Sequence, residues 1–190
     1  MKIVFATNNP NKLSELQALV PKGIEILSMK DINCNEELPE TNPTLKENAL
    51  QKAQYVYKNF GFNCFADDTG LEIESLGGAP GVYSARYAGE GCNADDNMKK
   101  VLIELENMDN RNATFRTVIA LIINGDEYIF QGECNGEITK TKNGVGGFGY
   151  DPIFMPQGYE ITFAEMSKQE KGALSHRGRA VDKLVSFLPR

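Results

Sequence analysis

The chain is poor in the residues that most metal and nucleophile chemistry needs. It has one histidine, His176, and four scattered cysteines, Cys34, Cys64, Cys92 and Cys134. No CxxC pair and no zinc-type spacing occurs among them. No cysteine or serine arrangement around His176 points to a nucleophile–histidine triad, and a lone histidine is more often structural than catalytic. Long hydrophobic runs are also missing, so neither a signal peptide nor a membrane span is expected, and the free thiols fit a cytoplasmic protein. No long basic run appears, and 26 acids against 20 lysines and arginines leave a net charge of −6. That balance argues against general affinity for a nucleic-acid backbone, though not against a small basic pocket for one nucleotide. There is no repeat, no low-complexity tract and no dividing linker, so residues 1–190 are expected to form one domain.

Carboxylates and glycines are what remain. The stretch Cys64 to Ile73 reads as an apolar strand running into Asp67, Asp68, Thr69 and Gly70. Adjacent side chains on extended backbone point to opposite faces, so the two acids are expected to do different jobs. The plain alternative is an acidic turn closed by glycine.

Upstream, Lys2 to Ala6 predicts a strand, Thr7 to Lys12 a polar turn, and Leu13, Leu16 and Leu19 a helix closed by Pro21, Lys22 and Gly23. A turn with a lysine at a helix start suits an anion, but it lacks the glycines of a Walker loop or a dinucleotide fingerprint. Ile24 to Leu27 predicts a second strand. Thr44 and Glu47 predict a capping box opening a helix that Gly61 ends. Lys52 on that helix reads, from residues alone, as a solvated lysine.

Further on, Gly77 to Gly89 is a glycine-rich loop whose Arg86 either meets phosphate or pairs with an acid. Asn93 to Leu105 predicts a helix. Thr114 to Asn124 and Glu127 to Cys134 predict a hairpin joined at Asn124-Gly125-Asp126. Asn143 to Pro152 is a second glycine-rich loop, and its Phe148 is either a stacking platform for a base or an aromatic folded onto the core. Ser175-His176-Arg177 precedes a last helix reaching Leu188. The pattern predicts an α/β fold with a long mixed sheet and flanking helices.

Six ordered segments together are specific: TNNPNK at Thr7–Lys12, ENALQKA at Glu47–Ala53, ADDTGLEI at Ala66–Ile73, LGGAPGVYSARYAG at Leu76–Gly89, GGFGYDPIF at Gly146–Phe154 and SHRGRA at Ser175–Ala180. Over nearly its whole length the chain resembles the inosine triphosphate pyrophosphatase family, which hydrolyses non-standard purine nucleoside triphosphates such as ITP, dITP, XTP and dXTP to the monophosphate and pyrophosphate. The resemblance implies two lobes around a central nucleotide-binding cleft, a homodimer and Mg²⁺. It implies that Thr7, Asn8, Asn9, Pro10, Asn11 and Lys12 bind the triphosphate, with Lys52 at the phosphate end. Asp68 matches the general base and a metal ligand, Glu40 the second metal ligand, and Thr69 a substrate contact. Phe148, Gly149, Tyr150 and Asp151 match the base-binding segment, with Phe148 stacking, and Lys171, His176 and Arg177 the base-edge contacts. Asn9, Asn11 and Thr69 are mild departures from what many relatives carry. The competing expectations are a nucleotide-binding regulator without turnover and a pyrophosphatase for other modified nucleotides.

Overall fold

The computed structural model of the protein describes residues 1–21 and 23–188, so Lys22 of the expected helix-closing turn lies outside the described residues. Strands and helices alternate over residues 2–73, and further on consecutive strands and a closing pair of helices break the alternation. They are β1 (Lys2–Phe5), α1 (Pro10–Leu19), β2 (Glu25–Leu27), α2 (Leu45–Phe60), β3 (Cys64–Ile73), β4 (Pro80–Gly81), α3 (Ala94–Glu104), β5 (Asn112–Ile123), β6 (Asp126–Ile138), β7 (Phe154–Pro156), α4 (Lys168–Leu174) and α5 (His176–Phe187). The strands pair in the order β2-β1-β3-β5-β6-β7, with β4 added to β3. β1 runs parallel to β2 and β3, while β4 on β3 and β7 on β6 are antiparallel, so the sheet is mixed.

The chain divides into two compact units, with three boundaries inside strands and one inside α5. The first holds Met1–Asp68, Thr117–Gly132 and Arg177–Arg190, the second Thr69–Arg116 and Glu133–His176. In the first unit, period-two alternation sorts each strand's side chains between two cores. Val4, Ala6, Cys64, Ala66, Ala120 and Ile122 pack with Ala49, Ala53 and Val56 of α2. Ile3, Phe5, Phe65, Ile119 and Leu121 pack with Leu16 of α1 and with Ala180, Val181 and Leu184 of α5. Phe5 and Phe65 stack at 4.7 Å between centroids on that second face. The second unit has its own core, in which Leu71, Ile73, Val101, Leu105, Phe115 and Phe154 are buried together.

Local signals explain most element ends. Asn9 caps α1, with Pro10 in its first turn, and Asn93 caps α3. Thr44 caps α2 and Gly61, at φ 71°, ends it. The expected capping box at Thr44 is only half formed. Its oxygen accepts from the Glu47 N–H, but the Glu47 carboxylate takes the Thr44 hydroxyl instead of the cap N–H. The β5–β6 hairpin turns at Asn124 and Gly125, both at positive φ.

Three expectations change. Strand β3 does not stop at the acids: it continues through Asp67, Asp68, Thr69 and Gly70, because paired strands supply backbone partners along its length. His176 and Arg177 open α5 and do not precede it. The segment around Thr162 is a single 3₁₀ turn held by a reciprocal Thr162–Glu165 capping box.

Candidate active site

The strand alternation that sorts the core also sorts the two acids. Asp67 continues the face of Phe65, toward α1 and α5, and Asp68 continues the face of Cys64 and Ala66, toward α2. Their partners follow. Lys12 of α1 donates to Asp67 Oδ1 at 2.9 Å, and Arg177 of α5 donates from Nε to Asp67 Oδ2 at 3.2 Å. Lys52 of α2 lies 3.7 Å from Asp68 Oδ1 and bonds the Glu40 carboxylate as well. Arg177 also bonds Glu15 of α1 through Nη1. Two chains of alternating charge result: Glu15–Arg177–Asp67–Lys12 on one face of β3, and Asp68–Lys52–Glu40 on the other.

Burial makes these charges consequential. Asp67 is 1% exposed, Arg177 2%, Lys52 5% and Asp68 7%. Burial opposes the charge on Asp67, but Lys12, Arg177 and Lys52 outweigh it and hold this carboxyl well below the usual aspartate value. Asp68 moves the other way. Burial raises it, Glu40 and Asp67 add to the rise, and Lys52 and Lys12 only partly offset it. Burial also lowers Lys12, with Lys52 and Arg177 pushing the same way. Lys52 rises despite its burial, because Asp68, Glu40 and Asp67 surround it. One neighbour is therefore a fixed counter-ion, and the other is a carboxyl whose proton affinity is tuned upward.

The turn before α1 is built by its own polar side chains. Thr7 Oγ1 accepts from the Asn9 N–H at 3.2 Å, and Asn9 Oδ1 accepts from the N–H groups of Asn11 (2.9 Å) and Lys12 (3.3 Å). Asn8 donates to the Glu36 carbonyl at 3.0 Å. Pro10 has no N–H to orphan at the helix start. Thr69 is half-buried, the residue after Asp68 on β3.

In the second unit, the glycine loop closes on Asp151. Its Oδ2 accepts the Phe148 N–H at 2.8 Å and the Lys171 ammonium at 2.7 Å. Gly147 lies at φ 69°, and a Cβ there would come within 2.0 Å of that same oxygen. Phe148 is half-buried, with the Lys171 ammonium 4.9 Å from its ring centroid. Tyr150 is buried and donates to the Ser84 carbonyl at 2.6 Å. Gly149 is left-handed, with φ 61°. His176 is buried and stacks on Phe115 at 4.5 Å.

The structure thus brings Lys12, Asp67 and Arg177 together, Lys52, Asp68 and Glu40 together, and Phe148, Asp151 and Lys171 together. Arg177 pairs with Asp67 and Glu15, while Lys171 pairs with Asp151 and lies over the rings of Phe148 and Phe163. Lys52 is not the solvated lysine its helix position implied, since it meets two carboxylates. Arg86 meets no carboxylate among the described residues and lies 5.4 Å from the Tyr83 ring centroid. Glu15 was not anticipated. Its signal was the i, i+3 spacing from Lys12, which puts both on one side of α1. None of the four cysteines is in a disulfide, and burial pushes the Cys64 thiol up to about 12, so it stays protonated.

The donor set fits a divalent cation of the magnesium type. Among the described residues no three His, Cys, Asp or Glu side chains converge. Asp68 and Glu40 do converge on one ammonium, and a hard cation of this type takes one or two carboxylates with phosphate oxygens and waters completing its shell.

The protein is of the mixed α/β class, with paired acids on its third strand set among buried cations. More narrowly, the chain belongs to the Ham1 family, whose family model matches residues 3–187. It is 56% identical over 190 residues to a protein of Christiangramia forsetii, covering 100% of each, and 56% identical over 188 residues to one of Flavobacterium johnsoniae, covering 99% of this chain and 98% of that one. Both relatives are named dITP/XTP pyrophosphatase. Among solved structures, a HAM1 protein from Coxiella burnetii superposes with a TM-score of 0.89 at 40% identity, covering 98% of this chain and 97% of that one. No described helix is long and apolar enough to cross a membrane.

Proposed function

We propose that the chain hydrolyses non-standard purine nucleoside triphosphates, dITP, ITP, XTP and dXTP, to the monophosphate and pyrophosphate. The observation that carries this reading is the division of labour at Asp67 and Asp68, on a chain whose relatives bear the name dITP/XTP pyrophosphatase. Lys12 and Lys52 receive the phosphates, and their fixed ammonium groups stabilise charge that develops on the leaving pyrophosphate. The dipole of α1 favours the same anion near its N-terminus, whose N–H groups Thr7 and Asn9 already engage. Asp68 accepts the proton of the attacking water, a task suited to a carboxyl whose proton affinity burial has raised. Asp68 and Glu40 would hold Mg²⁺, which supplies neutralisation of phosphate oxygens and activation of water.

The base belongs to the second glycine loop in this reading. Phe148 stacks on it, and Asp151 sets both the Phe148 backbone and the Lys171 ammonium. Hypoxanthine and xanthine present an acceptor oxygen at C6, where adenine presents an amine. Lys171 and Arg177 each only donate, so either one matches an oxo base and leaves adenine unsatisfied. The reading includes a homodimer and a cytoplasmic setting, the latter supported by four cysteines outside any disulfide.

The test is pyrophosphate release from dITP, XTP, dATP and dGTP with Mg²⁺, for wild type, Asp68→Asn and Arg177→Lys. Fast turnover of dITP and XTP, its loss in Asp68→Asn, and weaker selection against dATP in Arg177→Lys are expected. Equal turnover of all four would remove the selectivity argument. Full activity of Asp68→Asn would remove the catalytic assignment.

A further inference from the structure

Arg177 is gripped from two directions by carboxylates on different elements. Asp67 on β3 takes its Nε and Glu15 on α1 takes its Nη1. Two contacts from separate elements fix both the position and the plane of a guanidinium, because its donors form a rigid fork. A single carboxylate would leave that plane free to swing. Asp67 does more than close this clamp, since its other oxygen holds the Lys12 ammonium at 2.9 Å. Nearly every polar atom involved is sheltered from water, so a displaced charge here has little solvent to compensate it.

We propose that Asp67 and Glu15 are positioning residues: they clamp Arg177, and through its second oxygen Asp67 ties the clamp to Lys12, so that base selection and phosphate binding share one carboxylate. The inference rests on the reading above, in which Arg177 discriminates the base and Lys12 meets phosphate. Glu15 acts through Arg177. It sets how well the guanidinium is aimed and has no part in holding phosphate. Asp67 acts through both cations. When Lys12 is drawn toward a phosphate, Asp67 is left to Arg177 more completely, which tightens the clamp as the substrate arrives.

Two readouts separate the two branches. The ratio of kcat/KM for dITP over dATP reports Arg177, and inhibition by inorganic tripolyphosphate, which has no base, reports Lys12. Glu15→Gln is expected to lower the ratio about tenfold, within the roughly hundredfold that a misplacement of about 1 Å can cost, with tripolyphosphate inhibition at the wild-type level. Asp67→Asn is expected to change both. If Asp67→Asn does not fold, Asp67→Glu, which keeps the charge but advances the carboxylate by one methylene, is read in its place with the same two outcomes expected. A Glu15→Gln ratio within twofold of wild type overturns the clamp. An Asp67 variant that shifts the ratio but leaves tripolyphosphate inhibition unchanged overturns the tie to Lys12. These failures differ from failure of the parent reading, which would appear as absent dITP turnover in the wild type or an Arg177→Lys enzyme with undiminished selectivity.

Discussion

Asp67→Asn removes the charge from a carboxylate that is 1% exposed and holds Lys12 at 2.9 Å and Arg177 at 3.2 Å. At an effective dielectric of ~20, each contact carries ~5 kcal/mol of attraction. Most of that is offset by the cost of taking the ions out of water, so the whole sum is not lost on mutation. Removing one member of such a buried group costs ~3–5 kcal/mol, because the partner charges stay buried without it. The asparagine oxygen still accepts one hydrogen bond, which puts the expected loss at the lower end, ~3 kcal/mol. For a chain of this size each kcal/mol moves Tm by ~2–4 °C, so the transition should fall by ~6–12 °C. Asp68→Asn has a different balance. It relieves the burial of a carboxyl crowded by Glu40 and Asp67, and it takes one of two carboxylates from Lys52, which keeps Glu40. These effects oppose each other and leave a net change within ~1 kcal/mol, while dITP turnover is lost. Thermal and urea unfolding followed by circular dichroism, run beside the pyrophosphate-release assay, give both quantities. The reasoning is refuted if Asp68→Asn unfolds as early as Asp67→Asn, or if Asp67→Asn leaves Tm within ~2 °C of wild type.

Other perturbations separate the remaining parts. The stability Asp67 contributes is present above the ordinary aspartate value of 3.8 and is lost as pH falls through its lower folded value, so the acid-unfolding limb in that window should flatten in Asp67→Asn. For Asp68 the folded value lies above 3.8 without metal, so its protonation on acidification favours the folded state. An acid denaturation series run without metal checks both limbs. Gly147→Ala forces a Cβ into the Asp151 carboxylate and strains a residue at φ 69°, so it should cost ~1–3 kcal/mol and raise KM for dITP, measured by Tm and steady-state kinetics. Phe148→Ala should raise KM for dITP by about five- to fifteenfold, the loss of ~1–1.5 kcal/mol of stacking, and leave tripolyphosphate inhibition unchanged, read by competition.

Where the chain's own local chemistry decides, the sequence was readable. Thr44 and Gly61 bracket α2, Asn93 starts α3, and Asn124-Gly125 turns the hairpin, all through groups a few residues apart. Strand β3 was cut short in reading because two acids and a glycine look like a turn, and only the neighbouring strands show that they are not. Lys52 looked solvated for a related reason. Its own helix supplies no acid beside it, and its partners come from β3 and from the loop bearing Glu40. Glu15 and Arg177 are 162 positions apart, so no spacing rule links them.

The adjacency of Asp67 and Asp68 is what gives one place on the backbone two carboxylates with different partners. Strand alternation forces consecutive residues onto opposite faces, so a single short segment presents one carboxylate to Lys12 and Arg177 and the next to Lys52 and Glu40. Each face of β3 is then covered by different helices, and each carboxyl acquires its proton affinity from a different set of charges. A one-residue slip of β3 that brought Thr69 to the place of Asp68 would turn Asp68 toward Lys12 and Arg177 and leave Lys52 and Glu40 without that carboxylate. The buried Phe5–Phe65 stack and the pairing of Val4 with Cys64 and Phe5 with Phe65 fix the register against that slip. The hydrophobic pattern two residues upstream of the acids therefore decides which acid faces which cation.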